Sequence, residues 1–224
     1  MKFKHPLAKG EVKELRPNVF GVSIENNYDR AMLFCRYQEF YESPIKKLKG
    51  KFFTLETLMK EYVNQRGENT FTYATDWAGY NIPSHILWKA YDLFYKSKNQ
   101  YDEIMSNILY HCDNYPLQFN KQRSKWYLIS ADSFDGHVMN HEIAHGLYYT
   151  NKQYKKNCDD LISKIKKKDY NLMKKKLLEI GYSNDKKIID DEIQAFMSTG
   201  LYNKFSGEQI EKYEQPFIDN FKNF

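Results

Sequence analysis

Arginine is scarce in this chain. There are five arginines against 29 lysines in 224 residues. The planar guanidinium fork reads bases and phosphates bidentately, which a lysine cannot do, so the imbalance disfavours sequence-specific nucleic-acid recognition. Cysteine is equally sparse. Cys35, Cys112 and Cys158 lie far apart and form no CxxC pair, which excludes a disulfide framework and gives no support to a thiolate zinc site. Three reduced thiols in a reducing compartment are expected. Apolar runs are short. None approaches the ~20 residues that span a bilayer, and the opening "MKFKHPLAKGEVKELRP" has no apolar h-region of a signal peptide. The expectation is a soluble, cytoplasmic protein, with delivery to another cell left open. Histidine stops early, since none of the six follows His145.

What is present describes a packed protein. Hydrophobic residues make up 42% and aromatics 17% of the sequence, with 19 Tyr and 15 Phe. That is too apolar for a disordered chain, and the length suffices to bury a core in one structural unit with up to two lobes. The net charge of +5 is uneven. Residues 152–187 hold twelve lysines against Asp159, Asp160, Asp169, Glu179 and Asp185, so this segment alone is at +7 and the remainder at −2. Such a segment is either a solvated helix face or a surface for an acidic partner.

Local patterns predict an α+β fold, mostly helical. "NVFGVSIE" (18–25) and "KWYLISA" (125–131) have strand composition. Helical spacing covers the stretch from Asn26 to Ser43, with Met32, Leu33, Tyr37 and Phe40 recurring. Thr54 and Gly67 bracket a second helix, and "FTYATDWAGYNIPS" (71–84) reads as a loop or strand-turn element. Ser84 opens another helix, and "YDEIMSNILYHC" (101–112) one more. The run "DDLISKIKKKDYNLMKKKLLEIGY" (159–182) reads as helix up to Gly181, and a last long helix starts near Ser183 or Asn184. Strand 125–131 is expected at a sheet edge, leading directly into the most informative segment.

That segment is "HVMNHEIAHGLYY", residues 137–149. Within it His141, Glu142 and His145 form an H-E-x-x-H. On a helix, residues four apart share a face, so both imidazoles can reach one zinc ion at about 2.0–2.1 Å. Glu142 is then placed beside a water on that ion. Val138, Met139, Ile143, Ala144 and Leu147 supply the apolar face the helix needs. Chance gives the pattern in about 1% of chains of this composition. His137 lies one turn earlier, but with a rise of about 1.5 Å per residue it stands some 12 Å from His145 along the axis. It belongs to the cleft wall or a supporting shell, or is simply a polar residue near the helix start, and does not bind the same ion.

A third protein ligand must come from elsewhere. The extended pattern H-E-x-x-H-x-x-G-x-x-H fails here, because Tyr148 and Asn151 occupy the Gly and His positions. With no later histidine the ligand must be a carboxylate. "IIDDEIQAFMSTG" (188–200) offers one, since Ile188, Glu192, Ala195 and Phe196 recur on one helical stripe. A carboxylate on an apolar stripe is costly unless paired or metal-bound. Glu192 is the leading candidate, and Asp191 and Asp190 remain alternatives.

His141-Glu142-Ile-Ala-His145 followed by a helical Glu resembles the gluzincin branch of the zincin metallopeptidases, the thermolysin-like arrangement, over residues 125–200. The resemblance implies a two-lobed fold with a small twisted sheet, whose edge strand binds extended peptide, and a helical C-terminal lobe that donates the third ligand. Residues 1–150 would form the first lobe, with the H-E-x-x-H helix, and 151–224 the second. It further implies one zinc per chain held by His141, His145 and Glu192, with Glu142 as general base for hydrolysis of a peptide or protein substrate. Hydroxyl or imidazole donors for the transition state are Tyr148, Tyr149, Tyr182, Tyr202 and His137. The family's usual Asp four residues after the ligand Glu is Phe196 here, so a carboxylate buttress for a ligand His must come from Asp191 or Asp190, or be missing. Two other classes stay open: a zincin-like module that binds metal without proteolysis, and a protein that uses its lysines on an acidic surface or nucleic acid.

Overall fold

The computed structural model describes residues 1–114, 125–205 and 208–224. It is α+β and mostly helical. The chain divides into two compact units, 1–139 and 140–224. The division falls at the start of the H-E-x-x-H helix and not at residue 150, so His141 and His145 share a unit with Glu192.

The first unit begins with three antiparallel strands, β1 (Lys2–Lys4), β2 (Lys9–Arg16) and β3 (Val19–Ile24). Asn18, at φ 64°, makes the tight turn between β2 and β3, a conformation Asn tolerates better than most residues. Five helices follow: α1 (Asn27–Glu42), α2 (Leu55–Arg66), α3 (Tyr73–Asp76), then, after strand β4 (Tyr80–Pro83), α4 (Ser84–Phe94) and α5 (Gln100–Asp113). The stretch read as loop or strand-turn thus contains both α3 and β4. Strand β5 (Tyr127–Ser130) completes a five-stranded mixed sheet among the described residues, in the order β1-β2-β3-β5-β4.

This order corrects the expected edge position of "KWYLISA". β5 pairs parallel with β3 on one side and antiparallel with β4 on the other. All four of its residues are buried, the continuous apolar run typical of an interior strand. The edge belongs to β4, which ends in Pro83, a residue without an N–H to donate and so suited to an edge.

α1 runs through the core of this unit and buries one ion pair. Arg36 Nη1 donates to Asp102 Oδ2 at 2.5 Å, Nη2 to the Phe53 carbonyl at 2.9 Å, and the guanidinium lies 4.1 Å from the centre of the Phe94 ring. Asp102 also closes a capping box with Asn99 at the start of α5, so one carboxylate fixes two helices.

α6 (His137–Thr150) carries the chain into the second unit. There follow α7 (Lys152–Ser163), α8 (Lys167–Glu179), α9 (Lys186–Ser198), α10 (Glu208–Glu211) and α11 (Glu214–Lys222). Asn151 caps α7, its side chain accepting from the Gln153 and Tyr154 amides. The run over 159–182 falls in two helices, broken at Lys164–Lys166 without glycine or proline to mark the boundary. Gly181 stands at φ 103° just beyond α8, as a helix stop requires. Asp185, not Ser183 or Asn184, caps α9 by accepting from the Lys187 amide at 2.9 Å. α9 packs on α7, α8 and α11. No helix among the described residues is long and apolar enough to cross a membrane.

Candidate metal centre

α6 and α9 bring the candidate ligands together. His141 and His145, one turn apart on α6, turn their Nε2 atoms toward each other at 3.2 Å. Glu192 on α9 faces both. Its Oε2 lies 3.6 Å from His141 Nε2 and its Oε1 3.6 Å from His145 Nε2. The three side chains are 11%, 3% and 11% exposed.

These distances suit a metal ion better than they suit each other. Ligand atoms about 2.0–2.1 Å from a tetrahedral ion are about 3.3–3.4 Å apart, close to the separations here. As a hydrogen-bond set the cluster is poor, because 3.6 Å is too long. Glu192 Oε2 and His141 Nδ1 are buried and find no hydrogen-bond partner among the described residues. Buried polar atoms are normally satisfied, and a cation between the rings and the carboxylate would satisfy Glu192 Oε2, while His141 Nδ1 lies on the far edge of its ring.

The tautomer of His145 points the same way. Its Nδ1 lies 2.9 Å from Asp191 Oδ1. A carboxylate only accepts, so Nδ1 carries the proton and, in the neutral ring, Nε2 offers its lone pair to the site. This carboxylate–histidine pairing orients metal-binding imidazoles generally. Burial disfavours charge on His145, yet Asp191, Glu192 and Glu142 together hold its pKa well above the usual histidine value. Burial likewise pushes Glu192 up, but His145, His141 and a hydrogen bond from Tyr182 outweigh it and hold the carboxyl below its ordinary value. Glu142, Asp191 and Glu192 place three carboxyl groups around His145, a charge arrangement that a divalent cation would fit.

The other candidates separate cleanly. Glu142 is buried on α6, and its charge is felt at His145. Asp191 supports the second histidine of the motif. Asp190 serves elsewhere, accepting from the Tyr170 hydroxyl at 2.8 Å and pairing with Lys186. Tyr182 reaches the candidate ligand Glu192 through a hydrogen bond. Tyr148 is committed away from the triad: its hydroxyl donates to Asp159 Oδ1 at 2.5 Å and accepts from Lys155 Nζ at 2.8 Å. Tyr149 is half-buried, and burial raises its phenol pKa. His137 is exposed at the first position of α6, one turn before His141, and the converging group is His141, His145 and Glu192. The Tyr202 side chain lies outside those described. Phe196, in the position of the absent Asp, packs its ring 4.6 Å from that of His141.

The sequence reading passed over a set of residues behind Asp191. Gln194 Nε2 donates to Asp191 Oδ1 at 3.0 Å, and its Oε1 accepts from the Tyr154 hydroxyl at 2.9 Å. A glutamine three residues after an acidic residue on a buried stripe was the available signal. Compared with family models, with curated proteins and with solved structures, the chain finds no match in any of the three.

Proposed function

We propose that this protein is a zinc-dependent metallopeptidase of gluzincin type, with one zinc per chain held by His141, His145 and Glu192. The observation that carries the reading is the convergence of His141 Nε2, His145 Nε2 and the Glu192 carboxylate at 3.2–3.6 Å in a buried site. Three protein ligands with nitrogen and oxygen donors leave one position open, the pattern of catalytic and not structural zinc sites.

Zinc held there supplies Lewis-acid polarisation of a peptide carbonyl and a water acidified to a pKa of about 7. The chain's own groups do the rest. Glu142, next to His141, accepts the proton of the attacking water and returns it to the departing amine. Asp191 holds His145 as the Nδ1–H tautomer. Metal uptake by the Glu192 carboxylate would free the Tyr182 hydroxyl, now bonded to it, to donate to the developing oxyanion. The presence of Glu142 favours hydrolysis over a passive metal-binding module, which has no use for a base there.

The lysines of 152–187 lie mostly on the exposed faces of α7 and α8, opposite buried stripes formed by Tyr154, Cys158 and Ile162 and by Asp169, Met173 and Leu177. Acidic partners or acidic substrates would meet these faces through general charge attraction.

Metal analysis by native mass spectrometry, followed by incubation with a peptide library, tests the reading. One zinc per chain and peptide hydrolysis are expected, with hydrolysis lost and zinc kept in Glu142→Gln. Zinc binding without hydrolysis would support the non-proteolytic module, and a chain that takes up no zinc would overturn both.

A further inference from the structure

We infer that Gln194 is a positioning residue of the metal centre: clamped by Tyr154, its amide holds the Asp191 carboxylate in the orientation that presents His145 Nε2 to the metal. This rests on the metal-centre reading above and goes beyond it to residues that touch no ligand atom.

Asp191 needs such a restraint. Its side chain is 30% exposed, whereas that of the histidine it supports is 3% exposed. A carboxylate at the rim can rotate toward water and release the ring. Gln194 is fully buried and donates to Oδ1, the same oxygen that receives His145 Nδ1–H. Two donors on one oxygen leave it a single orientation.

The amide is itself held. Its Oε1 accepts from the fully buried Tyr154 hydroxyl at 2.9 Å, and that hydroxyl is 3.1 Å from Ser198 Oγ. Flipping the amide would set its oxygen against the Asp191 carboxylate, oxygen to oxygen, so the network permits one assignment. The bonds then run in one direction, Ser198 to Tyr154 to Gln194 to Asp191, each donor facing the carboxylate. Buried chains of this polarity strengthen one another. All four residues lie on α7 and α9, so the packing of those helices sets the direction in which a histidine on α6 points.

Zinc affinity, measured by competition with a chromophoric chelator, tests this on the full chain. Gln194→Met keeps the length and removes the amide. It should weaken zinc binding about tenfold, the low end of the ~10–100-fold range for groups that support a ligand, and should shift the visible bands of the cobalt-substituted protein. Asp191→Ala should weaken binding at least as much, and adding Gln194→Met to it should cost nothing further, because Gln194 acts through Asp191. Ile162→Val, which trims one methyl from a buried α7 side chain outside the network without shifting the helix, should leave affinity and cobalt bands unchanged. If Gln194→Met does not fold, Tyr154→Phe carries the test with an expected loss of about threefold. Wild-type affinity in Gln194→Met, or in Tyr154→Phe where that variant stands in, or equal losses from Gln194→Met with and without Asp191, would overturn the proposal while leaving the metal centre standing. A wild-type chain that binds no zinc would overturn the metal centre itself and this inference with it.

Discussion

Glu192→Gln isolates the charge of the proposed third ligand. The substitution keeps the shape of the side chain and its place 3.6 Å from both Nε2 atoms, but replaces an anionic donor with a neutral amide. Loss of a supporting group costs a metal site about 10–100-fold in affinity, so loss of a ligand should exceed 100-fold, which is more than about 2.8 kcal/mol at about 1.4 kcal/mol per tenfold. The metal-free protein should tolerate the change. A carboxylate 3.6 Å from a protonated His145 contributes about 4–5 kcal/mol of attraction at an effective dielectric of about 20, and the desolvation of two buried groups offsets much of it. His145 also keeps Asp191 and can release its proton when Glu192 is neutral.

The two effects separate in one assay. Thermal melting with and without zinc should show a large zinc-dependent gain for wild type, since ligand at about 100 times Kd adds about 2.7 kcal/mol. Glu192→Gln should show almost none, with a metal-free melt close to wild type. Chelator competition gives the affinities directly. If Glu192→Gln binds zinc within a few-fold of wild type while Asp191→Asn does not, the ligand is Asp191 and the geometric argument is wrong. If neither change moves the affinity, the cluster is not a metal centre.

Tyr182→Phe should retain zinc and lower hydrolysis by about 100-fold or more, the usual cost of losing a transition-state donor; unchanged turnover would confine the hydroxyl to holding Glu192. Arg36→Met leaves Asp102 charged with both side chains only 2% exposed, so chemical denaturation should show a loss of about 3–5 kcal/mol in the first unit, and a loss under 1 kcal/mol would refute the importance of that pair. Burial raises the pKa of Glu39 against the opposing bonds of Ser43 and Tyr73. Its contribution is therefore full below the unfolded value of 4.5 and falls as pH rises through the folded pKa. Glu39→Gln should match wild type near pH 4 and exceed it at pH 7 in urea unfolding, whereas a difference that does not vary with pH would contradict the shift.

Patterns within one element were legible in the sequence. The apolar face of α6, the stripe that turns Glu192 inward and the alternation that makes β3 a strand are all properties of a few neighbouring residues. Pairing was not. β2 is "KGEVKELR", with Val12 its only buried residue, and it becomes a strand because β3 lies beside it in register from Gly10–Ile24 to Arg16–Val19. The interior place of β5 depends in the same way on β4, a four-residue strand inside a stretch whose glycine and proline suggested a turn. No local count reveals which strand ends up between two others.

The support of the two histidines shows where motif logic stops and packing takes over. Consecutive residues on a helix point about 100° apart, so Asp191 and Glu192 cannot both face one point. They can serve one site because His141 and His145 stack along α6. Glu192 meets the Nε2 atoms of both rings, while Asp191 reaches the Nδ1 edge of His145 alone. His141 is left without the equivalent. One turn beyond Glu192 stands Phe196, and its ring fills the space beside His141 while packing against Phe205. His141 is thus placed by apolar contact and His145 by hydrogen bonds. The two proposed ligands of one short motif are therefore held by different physics: one imidazole has a fixed tautomer and direction, and the other is placed by apolar contact, its Nδ1 without a hydrogen-bond partner among the described residues. Perturbations that reach Asp191 should accordingly act on metal affinity through His145, and those that reach Phe196 through the placement of His141.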